Sequence, residues 1–64
     1  MKAQERRGAM LEQLRGSARP LSGGSLAKAL GVSRQVVVQD VALLRAEGHD
    51  IMATARGYVL MGAA

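Results

Sequence analysis

The sequence predicts a small α+β domain, three helices followed by a β-hairpin, within 64 residues. Three observations lead there. Serines stand before two runs of helical apolar spacing, glycines stand after them, and beyond Gly48 the apolar period shortens to two. So short a chain holds one domain, residues 1–64, with a thin core, since it buries only about 60% of its unfolded surface.

The first helix is predicted from Ala3 to Arg15, with Ala9 or Met10, Leu11 and Leu14 inward and Gly16 ending it. Gly8 weakens that helix by about 1 kcal/mol relative to alanine, which implies a closely packed neighbour. In the connection GSARPLSGG, Pro20 biases Arg19 toward extended backbone, and Leu21 is an apolar anchor suited to a short strand. Ser22 caps a second helix, Gly23 to Leu30, with Leu26, Ala27 and Leu30 inward. Gly31 supplies the left-handed residue for a sharp turn that Val32 fills. Ser33 then caps a third helix, Arg34 to Glu47, closed by Gly48. His49–Thr54 and Tyr58–Met61 read as paired strands joined through Ala55-Arg56-Gly57, with Ile51, Tyr58 and Leu60 inward. His49 and Asp50 are strand-entry residues, and the four methionines belong to core or terminus. This is the order of a winged helix-turn-helix, the hairpin being the wing.

Net charge is +4 and the pI is about 10.8, with the excess in the first 45 residues. A small basic domain is drawn to polyanions, of which nucleic acid is the commonest in a cytosol, although +4 also lies in the ordinary range for solubility. The absence of cysteine excludes disulfides and thiolate metal sites, and a lone His49 excludes a multi-histidine metal site within the chain. MKAQERR lacks the apolar region of a signal peptide, and no apolar run approaches the ~20 residues of a membrane span, so a cytoplasmic protein is expected. Nothing in the sequence suits catalysis. There is no paired carboxylate, no serine-histidine-acid set in register and no glycine-rich nucleotide loop, so neither an enzyme nor a cofactor site is expected.

A helix-turn-helix places its second helix in the major groove, its first residues at base edges. On a helical wheel Val37, Val41 and Leu44 form one stripe flanked by Val36, while Gln35, Val38, Gln39 and Ala42 lie opposite. Gln35 and Gln39, at i and i+4, project together, and a glutamine amide bonds two edges of adenine. Val38 suits a thymine methyl, Arg34 a guanine or a phosphate, and Ser33 completes the readout set. Ser22, Gly23, Lys28 and the wing-tip Arg56 are candidates for backbone positioning, Arg56 through a minor groove or a phosphate. Arg45 is free to pair with the wing or a carboxylate instead of DNA. The alternative reading is a protein-interaction or dimerisation module, with Val38 and Ala42 facing a partner helix. The outward front of the third helix carries Arg34 and no acid, which favours a phosphate-lined groove.

The run PLSGGSLAKALGVSRQVVVQDVALLRAEGHDIMATARGYVL, Pro20 to Leu60, resembles the N-terminal winged-helix domain of the niacin-responsive repressors of NAD biosynthesis in bacteria. Arg6-Arg7 ahead of the first apolar stripe fits the same pattern. More distantly, L-G-V-S-R, L-R-x-x-G and G-Y-x-L are shared with the DNA-binding domain of biotin ligase repressors. The resemblance implies a transcriptional repressor that binds a palindromic double-stranded operator as a homodimer. In that family a C-terminal domain carries the histidines, the metal, the niacin pocket and dimer contacts. The sequence ends at MGAA with no such domain, so no residue here is assigned to effector or metal.

Overall fold

A computed structural model of the chain describes residues 2–61. Its elements are α1 (Ala3–Gly16), α2 (Gly23–Leu30), α3 (Arg34–Ala46), β1 (Ile51–Thr54) and β2 (Gly57–Leu60). The two strands pair antiparallel in the register Ile51 with Leu60, Met52 with Val59, Ala53 with Tyr58 and Thr54 with Gly57. Leu21 adds a third, one-residue strand. Its N–H donates to the Tyr58 carbonyl at 3.0 Å, and the Tyr58 N–H donates back at 2.7 Å. The wing is therefore tied to the chain just before α2.

Each helix meets its neighbours through one buried face. Met10 and Leu14 from α1, Leu26 and Ala27 from α2, Val37, Val41 and Leu44 from α3, and Ile51 from β1 make the core. Leu11, Leu21, Leu30, Val32, Tyr58 and Leu60 pack around it, partly buried. The choice left open between Ala9 and Met10 falls to Met10, which is wholly buried, while Ala9 is intermediate.

The tight turn between α2 and α3 follows from local chemistry. Gly31 is left-handed at φ 68°, its N–H reaches the Lys28 carbonyl at 3.3 Å, and the Val32 N–H closes back on Ala27 at 2.9 Å. These paired bonds satisfy the last carbonyls of α2 and let the chain reverse within three residues. The Ser33 hydroxyl then accepts the Val36 N–H at 3.3 Å, as Ser22 accepts that of Ser25 at 3.0 Å. Each cap is worth about 1 kcal/mol.

Several expectations are corrected. The α1 helix runs one residue further and includes Gly16, while α3 ends at Ala46 with Glu47 as its C-cap. The strands begin and end one or two residues earlier or later than the period suggested. His49 and Asp50 precede β1, Gly57 is within β2 and Met61 is beyond it, because Thr54 pairs with Gly57 across a two-residue turn. Met52 is neither core nor terminus but lies half-exposed on the wing, and Met1 falls outside the described residues. A side chain at Gly8 would meet nothing within 4 Å, so no close neighbour accounts for that glycine. Gly8→Ala is accordingly expected to raise stability by about 1 kcal/mol, read as a higher urea midpoint at unchanged slope. An unchanged or lower midpoint would count against this assignment of open space.

Candidate nucleic-acid interface

The inward stripe of α3 fixes what its other side presents. Val37, Asp40, Val41 and Leu44 are its buried residues, and Arg34, Gln35, Val38, Gln39 and Ala42 are all exposed. The two glutamines follow each other by one helical turn, uncovered, on the side away from the core. No acid interrupts that front.

Beside it lies a hollow of about 250 Å³ between the start of α2, the first turns of α3 and the wing. Ser22, Gly23, Arg34, Val38 and Arg56 all line it, so the fold brings together five of the nine candidate residues. The other four, Lys28, Ser33, Gln35 and Gln39, are exposed but do not border it. Lys28 sits in the last turn of α2, at the far end of the helix from Ser22. The lining carries two arginines and no acid among the described residues, a field that favours an anion. A Cβ built on Gly23 would lie 3.7 Å from the Tyr58 ring and 3.9 Å from Arg34 Nε, so the wing and the front of α3 converge on the start of α2.

The two serines are already occupied. Ser22 accepts from the Ser25 N–H and donates to the Ser25 hydroxyl, both at 3.0 Å, and Ser33 holds the Val36 N–H. Their hydroxyls act first as helix caps, and any DNA contact is secondary to that.

Other residues that hold the elements of the interface in place were not among the candidates. Thr54 closes the wing turn. Its hydroxyl donates to the Gly57 carbonyl at 2.8 Å and accepts the Arg56 N–H at 3.2 Å, which presets the backbone that carries Arg56. A threonine two residues before a turn residue is a recognisable signal for this arrangement. Asp40 is 1% exposed inside α3. Arg6 of α1 grips it twice, Nε to Oδ2 at 2.5 Å and Nη2 to Oδ1 at 2.9 Å, with Arg7 Nη1 at 3.9 Å. The hydrogen bond to Asp40 raises the Arg6 pKa above its ordinary value, partial desolvation opposes the rise, and the carboxylate charge adds to it. A raised cation keeps its proton and its share of stability below its unfolded-state pKa and loses that share only as pH rises through the raised value. The pair therefore persists through the neutral and moderately alkaline range. On the opposite flank, Arg45 Nε donates to the Ile51 carbonyl at 2.7 Å, so of its two expected partners, wing or carboxylate, it takes the wing.

With this geometry in place, the comparisons with known proteins decide the family. Residues 6–59 match the model of a family described as HTH domain. The chain belongs to that helix-turn-helix family. It is 54% identical over 59 residues to "Probable transcription repressor NiaR" of Thermotoga maritima and, at the same identity and length, to "Transcription repressor NadR" of Bacillus subtilis. Each alignment covers 92% of this chain but only 34% and 33% of the respective relatives, so the chain spans about a third of the length of the curated relatives it matches. The matched region of this helix-turn-helix domain includes α2, the turn, α3 and most of the wing, which is where the exposed glutamines and both hollow-lining arginines lie. Among the described residues no helix is long and apolar enough to cross a membrane.

Proposed function

We propose that this chain is the operator-recognition domain of a bacterial transcriptional repressor acting in the cytoplasm on genes of NAD biosynthesis. The observation that carries the reading is the 54% identity, across nearly the whole domain, to proteins named as transcription repressors. The physical support is the exposed front of α3. Gln35 and Gln39 reach adenine edges, Val38 meets a thymine methyl, and Arg34 takes a guanine or a phosphate. Ser22 and Gly23 at the start of α2, Lys28 and the wing's Arg56 take the DNA backbone. One domain makes few phosphate contacts, so a monomer binds weakly and with strong salt dependence. A homodimer on half-sites about 34 Å apart binds far better. Neither an effector nor a cofactor is assigned to these residues.

The test uses a duplex selected from a random pool by the wild-type chain, titrated beside a scrambled duplex. Gln35→Ala and Gln39→Ala are each expected to lower the preference for the selected duplex about tenfold, while Arg34→Ala and Arg56→Ala each reduce the salt slope by about one. Wild-type preference in both glutamine variants would refute the readout assignment. Binding of a protein partner with affinity indifferent to salt, and no duplex selected, would point instead to an interaction module.

A further inference from the structure

The α3 helix is held from both flanks as well as from below. Its inward stripe of Val37, Val41 and Leu44 is aliphatic, and such burial is non-directional, so it resists a small roll of the helix about its own axis only weakly. Asp40 stands about 60° around the helix from Val37 on one side, and Arg45 about 80° on the other. Both carry a guanidinium bond to another element. Asp40 receives the two-pronged grip of Arg6 from α1, and Arg45 reaches the Ile51 carbonyl of the wing. A planar guanidinium bonding through two nitrogens is directional where the valines are not. Replacing a buried ion pair by apolar residues of similar size is often neutral for stability, so the effect expected of this pair is geometric.

We infer that Arg6 is a positioning residue for base readout: through Asp40 it sets the roll of α3, and with it the direction in which Gln39 and Gln35 project. The inference rests on the DNA-reading role proposed above. Gln39 is the immediate neighbour of Asp40, and Gln35 lies one turn earlier. A roll of about 15° moves a side-chain tip about 5 Å from the axis by more than 1 Å, beyond the roughly 0.5 Å range of hydrogen-bond distances. Arg6 itself touches no base in this role.

The decisive variant is the charge-neutral pair Arg6→Met with Asp40→Leu, measured on the selected and scrambled duplexes described above. A melting temperature at or above the wild-type value is expected, with unchanged affinity and salt slope on the scrambled duplex. The preference for the selected duplex should fall about tenfold, the worth of one good bidentate base contact. Arg6→Lys keeps the charge but not the fork, and should lose part of the preference at unchanged scrambled-duplex affinity; it decides the matter if the apolar pair does not fold. Retained wild-type preference in the folded variants would overturn the inference while leaving the DNA reading intact. So would an equal loss on both duplexes with a shallower salt slope, which would make Arg6 a phosphate ligand. If the wild-type chain selects no duplex at all, the DNA reading falls first and this inference with it.

Discussion

Gly57→Ala is expected to destabilise the domain by about 3 kcal/mol or more, out of a total of roughly 3–10 kcal/mol for a chain of this length. Two causes add. Gly57 has φ 137°, where an L side chain is strained, and a Cβ there would lie 2.5 Å from the Leu21 carbonyl carbon and oxygen and 2.7 Å from the Ser22 nitrogen. Those neighbours are backbone and cannot rotate aside. The next residue, Tyr58, makes both hydrogen bonds to Leu21, so relieving the clash means opening the bridge between the wing and the start of α2. Gly31→Ala provides the comparison. Its φ of 68° is also left-handed, but its surroundings are open, so only the conformational term of about 1 kcal/mol remains. Thermal unfolding followed by circular dichroism separates the two. A Gly57→Ala melting temperature within about 5 °C of wild type would show that the wing yields more easily than this contact allows.

Met10→Ala is expected to lose about 3 kcal/mol, within the ordinary 2–5 kcal/mol for emptying a fully buried site. Met10 is 0% exposed and lies among the eight buried hydrophobic residues that form the core among the described residues. With so few, the cavity has little surrounding mass to collapse into it. Met52→Ala, at a site 49% exposed, should change stability by no more than about 0.5 kcal/mol. Urea unfolding of both variants checks the contrast. A loss below 1 kcal/mol at Met10 would mean that the core is centred elsewhere.

Much of the candidate interface was legible in the sequence because its determinants are local. A serine cap, a left-handed glycine and a helical period lie within a few residues of what they control. Ser22, Gly31 and Ser33 therefore defined the helix-turn-helix, and the valine stripe implied which way Gln35 and Gln39 would face. Asp40 was harder. Its burial requires a partner 34 residues earlier in the chain, and nothing nearby in sequence names Arg6 as that partner. Gly57 was read as part of the turn because glycine usually belongs there. The pairing with Thr54 and the approach of Leu21 make it a strand residue instead.

By itself, then, the sequence determined the three helices, the tight turn between the second and third, and the polar front of α3, since propensity, capping and period act over one or two turns of chain. Only the tertiary structure decided that Arg6 would clasp Asp40, that Leu21 would bridge to Tyr58, and that Arg34 and Arg56 would border one hollow. Those are meetings of distant segments. They follow from how few ways a thin core can be closed, which no local stretch of residues encodes.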